Sequence, residues 1–266
     1  LSYAYDHEWI NKTIYQNAYV RTDSYFDNSP LASSGLPSKN ELELLNVWKD
    51  EIPAEVFTET FTPPITDGSG NDRKNLLKAK EILEKEGWFV EDGKLVKDGK
   101  EFKFEFLIVS PSDEKIALAY QSNLKKLGIT MDVRTVDSSQ YQERLLSYDF
   151  DMIKRYWGVS LSPGNEQQFY WGSEVGQKDG SRNYPGINSP AVDALIEKLI
   201  SATNREELTT AIHALDRVLL WGHYVVPLYH SNKDRIAYWD FFEYPDEIPL
   251  YGLSLIHISE PTRRTQ

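Results

Sequence analysis

The chain has 266 residues, 40 % apolar and 13 % aromatic, with a formal charge of −12 and no cysteine. That is enough apolar material for one large or two modest packed domains. The acidic balance offers nucleic-acid phosphates no footprint, and the missing thiols exclude disulfides, thiolate metal sites and cysteine nucleophiles.

The opening stretch LSYAYDHEWINKTIY reads as helix, and with Leu at position 1 the chain is expected to start inside a structural element of a longer protein. Residues 11–72 are rich in turn formers, TDSYFDNSP (22–30), SSGLP (33–37) and TPPITDGSGN (62–71), with a short helix near Glu41 to Ile52. Long ordered loops of this kind usually carry function or wrap another domain. Arg73 to Gly87 predicts an amphipathic helix with Leu76, Leu77, Ala79, Ile82 and Leu83 toward one side.

Phe102, Phe104, Phe106 and Ile108 recur at period two, Ala117 to Leu127 is helical up to Gly128, and Ile129, Met131 and Val133 alternate again. This is a βαβ unit, whose strands should run parallel. A helix near Ser139 to Tyr148 then leads to a third strand, Phe150 to Tyr156. The end of that strand delivers RYWGVSLSPGNEQQFYW (155–171), five aromatic rings around a polar loop, placed where open α/β sheets bind ligands.

Ser189-Pro190 starts one helix with the stripe Val192, Leu195, Ile196, Leu199 and Ile200. Asn204 and Glu207 form a loosened capping box before Leu208, Ile212, Leu215 and Leu219. Strand-like segments at Tyr224 to Tyr229 and Arg235 to Trp239 follow. The most apolar segment, Val218 to Leu228, is broken by Trp221-Gly222-His223, and no run approaches the roughly 18 to 20 apolar residues that span a membrane. The tail LSLIHISEPTRRTQ (253–266) departs from the style of the rest. Its residues 253–263 resemble a translated sequencing-library adapter, so the tail is set aside as an artefact.

His7, His213, His223 and His230 show no compact metal-ligand spacing. Asp67 to Asp72 begins like a calcium loop, but its sixth position is Asp rather than Gly and its twelfth is Lys78 rather than Glu, which favours a turn before a helix. The nucleophile-elbow, P-loop and dinucleotide motifs are all missing. Paired carboxylates for glycoside cleavage have no sequence spacing and stay open. The rings of 155–171 admit two readings: Tyr156 and Trp157 capping the core while Phe169, Tyr170 and Trp171 pack a short helix, or a ligand wall of Trp157 with Ser160, Ser162 and Asn165.

The ordered series LSYAYDHEW, RTDSYF, LASSGLPS, EVFTETFTPPITDGSGN, the βαβ unit, RYWGVSLSPGNEQQFYW, GSRNYPGINSPAVDALIEKL and ALDRVLLWGHYVVPLYHSNKDRIAYW resembles the carboxy-terminal half of a family 5 extracellular solute-binding protein. Within that family it is most similar to the Yej-type oligopeptide-binding subunits of ABC importers, a group linked to uptake of peptides and of the peptide-nucleotide antibiotic microcin C. The resemblance covers residues 1–252. It implies an α/β fold of the periplasmic binding protein type (type II, cluster C): a lobe with a mixed, partly parallel sheet flanked by helices, truncated from a two-lobed protein. Residues 1–228 would be the carboxy-terminal lobe and 229–252 a segment returning toward the other lobe. The implied protein is a periplasmic monomer that binds a peptide and delivers it to an inner-membrane permease, with no cofactor and no catalysis.

In related dipeptide and oligopeptide receptors an Asp three residues after the motif Trp pairs with the ligand's free amine; the matching position is Ser160. A neutral hydroxyl forgoes a charge-assisted bond about twice as strong as a neutral one, so a free amine is not expected to be read, which suits blocked or longer peptides. The resemblance implies Trp157 and Ser160 as cleft residues, with Asn165, Arg182, Asn183 and Tyr184 beside them. A solvated loop before the Ser189 helix is the plain alternative for 182–184. A carbohydrate-active enzyme or sugar-binding module is the rival function, and a structural domain whose rings are all core is the third.

Overall fold

The computed structural model describes residues 1–239, 246 and 247. The adapter-like tail and nearly all of the return segment beyond Trp239 lie outside the described residues. The opening stretch is a 3₁₀ turn, Ser2–Ala4, followed by helix α1, His7–Thr13. They are separate because Asp6 caps α1, accepting from the Trp9 N–H at 2.9 Å. Strand β1 (Val20–Arg21), helix α2 (Lys39–Leu45, capped by Ser38) and the single turn α3 (Glu55–Thr58) follow.

Helix α4, Arg73–Lys85, is capped by Asp72, which accepts from the Asn75 N–H at 3.0 Å. Its apolar stripe is narrower than expected: Ala79 is buried and Leu76 and Leu83 pack, but Leu77 and Ile82 are exposed. Next comes a meander not anticipated from the sequence, β2 (Phe89–Glu91), β3 (Lys94–Lys97) and β4 (Lys100–Glu101). Its turns are Asp92-Gly93 and Asp98-Gly99, all four residues at positive φ, as tight hairpin turns require.

The βαβ unit is present as β5 (Lys103–Ile108), α5 (Pro111–Lys126) and β6 (Thr130–Thr135), the strands parallel with Phe104 opposite Met131. Gly128 closes α5 at φ +77°, and a Cβ there would lie 2.8 Å from the Leu95 nitrogen, which donates to the Gly128 carbonyl. No larger residue fits that approach of meander to sheet. After α6 (Ser138–Leu146) the expected third strand shrinks to β7, Met152–Ile153, parallel to β5. The sheet order is β6-β5-β7. Central β5 is therefore covered on both faces: Phe106 and Ile108 join the core under α5, and Leu107 packs with Val136, Tyr141 and Leu145.

A second, helical core is built from α7 (Glu166–Trp171), α8 (Pro190–Ile200) and α9 (Arg205–Trp221). Ser189 and Asn204 cap α8 and α9, and Glu207 reaches back to the Thr203 N–H at 2.8 Å, one residue before the cap. Val192, Leu195, Ile196 and Leu199 of α8 and Ile212, Leu215 and Leu219 of α9 are buried with Phe26, Leu31 and Leu45, while Leu208 is half-buried and Ile200 is exposed. Strand β8, Tyr229–His230, pairs antiparallel with β1; the expected strand from Tyr224 is confined to these two residues, and Arg235 to Trp239 form none. Leu1–His230 make one compact unit and Ser231 onward a second, in which the Ser231 hydroxyl donates to the Lys233 carbonyl at 2.7 Å.

Two adjacent charges on α9 hold the long loop after β1. Asp216 is fully buried and accepts from the Ser24 hydroxyl (2.8 Å), the Tyr25 N–H (2.8 Å) and the Ser33 N–H and hydroxyl (3.0 and 2.7 Å). Burial pushes its carboxyl above the ordinary range while these donors work against the rise. Arg217 donates to Glu41 at 2.6 Å and to the carbonyls of Gly35, Ser34 and Leu36 at 2.7, 2.8 and 3.3 Å. The RTDSYF and LASSGLPS stretches are thus a strap tied to α9.

Candidate functional site

The carboxyl ends of the parallel strands gather three segments: the first turn of α5, the chain leaving β7 and, opposite, β8. Lys154, the first residue beyond β7, is paired through Nζ with Asp113 of α5 and donates to the Tyr229 hydroxyl at 2.9 Å. The Tyr229 and Tyr15 hydroxyls lie 2.6 Å apart, and the Tyr19 ring centroid is 4.7 Å from that of Tyr229. Burial raises the pKa of Tyr229 above the ordinary phenol value. Neighbouring Arg21 on β1, in register with Tyr229, lays its guanidinium 4.9 Å above the Tyr5 ring, its buried nitrogens without a hydrogen-bond acceptor among the described residues.

Trp157 stands four residues beyond the end of β7. Its ring lies half-buried, 4.8 Å from that of the buried Trp171 and 6.3 Å from Tyr184, and Nε1 donates to the Arg182 carbonyl at 3.4 Å. One face of the indole is therefore fixed by packing. Tyr156, expected in one reading to cap the core, is 87 % exposed, whereas Tyr170 and Trp171 are buried and Phe169 is exposed. The packing reading thus holds for Tyr170 and Trp171 and fails for Tyr156 and Phe169, which face solvent.

Ser160 is exposed, its hydroxyl accepting from the Ser162 N–H at 3.2 Å. Arg205, at the start of α9, donates to the Leu161 carbonyl and tethers the loop to the helical core. Asn165 is exposed at the start of α7, and its side chain does not cap that helix. Glu166 folds back onto the Gly164 N–H, with both oxygens near 3 Å (3.0 and 3.1 Å).

The 181–187 loop forms the adjacent wall. Arg182 is exposed, with its guanidinium 5.8 Å from the Phe169 ring. Tyr184 is half-buried under Arg155, which lies 5.0 Å above its ring and donates to its hydroxyl at 3.3 Å. Asn183 lies below the surface at 0 % exposure: its amide donates to the Gly172 and Ile187 carbonyls at 3.0 and 2.8 Å, and its oxygen accepts from the Ile187 N–H at 2.8 Å. With every polar atom of that amide taken, Asn183 shapes the loop, leaving Arg182 exposed and Tyr184 half-buried against Leu107, Val136, Tyr141 and Leu145.

The sequence reading did not single out Lys154, Arg155, Asp113, Tyr15, Tyr19 or Tyr229. Lys154-Arg155 at a strand end was a visible signal, but the approach of Asp113 and the tyrosines depends on tertiary structure. Among the described residues no group of three metal-ligating side chains comes together.

A sequence model described as bacterial extracellular solute-binding proteins, family 5, middle, matches residues 1–179. The chain belongs to that family. Protein y4wM of Sinorhizobium fredii is 50 % identical over 255 residues, covering 95 % of this chain and 38 % of the relative. The probable peptide-binding protein YejA of Agrobacterium fabrum is 43 % identical over 255 residues, covering 95 % of this chain and 42 % of its own. The chain thus spans about two fifths of the length of the curated relatives it matches. The oligopeptide-binding protein AppA of Bacillus subtilis, solved with a nonapeptide, superposes with a TM-score of 0.63 at 22 % identity over 86 % of this chain and 40 % of AppA. The solute-binding fold is shared, and the expected α/β fold of the periplasmic binding protein type stands.

Proposed function

We propose that this chain supplies one wall of an oligopeptide receptor: the carboxy-terminal lobe, residues 1–228, of a periplasmic subunit that hands peptides to an inner-membrane ABC permease. In this reading 229–252 return toward the other lobe, 253–266 are the adapter artefact, and the protein works without catalysis or cofactor. The observation that carries the reading is the loop beyond β7, in a family 5 chain: Trp157 is fixed on one face by Trp171, and beside it Ser160, Asn165 and Arg182 are exposed, next to the Tyr184 ring. Main-chain groups would hold an extended peptide, with side chains in loose, wet pockets, so specificity is broad. Yej-type substrates, including N-blocked or microcin C-like peptides, fit the neutral Ser160.

Micromolar binding needs about −8 kcal/mol, more than one stacked ring and a few hydrogen bonds supply, so both lobes must contribute. The deciding experiment titrates a peptide library into the full-length protein and its Trp157→Ala variant. Affinity is expected to fall about tenfold on loss of one ring contact of 1–1.5 kcal/mol; unchanged affinity sinks the assignment of this loop.

A further inference from the structure

Resting on the peptide-binding reading, we propose that the ligand is an anionic peptide whose carboxylates are received by Arg155 and Arg182. The charges around the loop beyond β7 are not balanced. Lys154 is answered by Asp113. Arg155 has no carboxylate partner among the described residues: its guanidinium lies over the neutral Tyr184 ring, one terminal nitrogen donates to the neutral phenol at 3.3 Å, and Nε is buried without an acceptor. Arg182 rests on Phe169, again with no acid beside it among the described residues. The acid within the loop, Glu166, is turned onto the Gly164 amide. Ser160 adds only a hydroxyl. In a chain with 41 acidic and 29 basic residues, the uncompensated charge at this loop is positive.

The geometry suits a carboxylate. A guanidinium stacked on an aromatic ring has its face covered, and its N–H edge stays in the plane from which a carboxylate accepts two parallel bonds. Tyr184 fixes the plane of Arg155, so little rotamer freedom is lost when the anion arrives. The half-buried setting of Arg155 strengthens the pairing relative to open water. Peptide carbonyls leave that charge uncompensated, and Ser160 offers a ligand amine no opposite charge. A preference for acidic ligands and indifference to the amino terminus follow from the same loop.

The carboxylate belongs either to a side chain or to the peptide's own terminus, and matched peptides separate the two. Calorimetry on the full-length protein would compare a peptide carrying two Glu, its Gln counterpart and its Lys counterpart, each with a free and an amidated carboxy terminus, at low and high salt. The Glu peptide is expected to bind at least about tenfold tighter than the Gln peptide, as one charge-assisted pair allows, with the advantage shrinking at high salt. Arg155→Gln should erase most of that advantage, weakening the Glu peptide far more than the Gln peptide, Arg155→Lys should restore part of it, and Arg182→Gln should remove a smaller share. An advantage lost on amidation assigns the terminal carboxylate, and one that survives it assigns the side chains. Equal affinity for Glu, Gln and Lys peptides, or Arg155→Gln weakening all three alike, overturns the charge preference and leaves the peptide reading intact. If no peptide of any charge binds, both fall.

Discussion

The α9 anchor and the loop beyond β7 use the same kinds of side chain to opposite ends. Around Asp216 and Arg217 the charged atoms meet partners inside the chain: main-chain groups and hydroxyls of the long loop after β1, and the Glu41 carboxylate of α2. Beyond β7, Arg155 and Arg182 rest on rings, and Ser160 and Asn165 point outward. Buried polar groups left without partners cost far more than they return. Internal satisfaction therefore marks scaffold, and unmet hydrogen-bonding capacity marks the surface meant for something else.

The contrast is most sharply tested at Arg217. Arg217→Met strands the buried Glu41 and three loop carbonyls, and should cost about 3–5 kcal/mol, the range for breaking a buried ion pair, measured by urea unfolding. A loss under about 1 kcal/mol would mean that the strap is not held from α9. Asn183→Ala should follow, at about 1–3 kcal/mol from amide groups left unpaired, and should loosen Arg182 and Tyr184; a mutant of wild-type stability would return Asn183 to the list of direct ligand contacts. Acid comes next. Burial works to raise the Glu41 carboxyl, but hydrogen bonds from His213 and Arg217 and the Arg217 charge outweigh it and hold the pKa at about 2. A depressed carboxyl stabilises above its unfolded value near 4.5 and loses that stabilisation as pH falls toward 2. Stability should therefore drop across that window, with a slope that Glu41→Gln flattens. The hydrogen bond His213 donates to Glu41 raises His213 instead, so its contribution is full below pH 6.5 and fades as pH climbs through the raised value. The smallest effect is expected at Tyr156, where Tyr156→Ala should change stability by less than about 0.5 kcal/mol. In binding, acetylating a peptide's amino terminus should shift affinity less than about twofold, because Ser160 offers no charge to a free amine; a larger loss would show that the amine is read.

Local signals of the fold were legible where a single residue type enforces geometry. Asp72, Ser189 and Asn204 cap the helices that follow them, and the period-two runs of β5 and β6 gave a parallel pair. The β2–β4 meander was also written in the sequence, in Asp92-Gly93 and Asp98-Gly99, but its strands carry lysine and glutamate where a buried strand would show an apolar run. The 150–156 and 224–229 strands came out too long because apolar content persists after pairing stops: β7 and β8 each have only two paired residues. Leu77 and Ile82 read as core by period alone, yet α4 turns them to solvent. The site was half visible. Trp157 and Ser160 lie on one loop and could be read together, whereas Asp113 with Lys154, or Tyr15 with Tyr229, are joined only by the folded chain. Asn183 shows the reverse failure, since nothing in SRNYPG separates an asparagine that faces a ligand from one that staples its own loop.

The pairing of β1 with β8 brings Val20 against His230, so an early and a late segment of the unit meet at one seam. It means that a pull applied between the two paired strands loads a two-rung ladder and the Tyr15–Tyr229 contact before it reaches the helices.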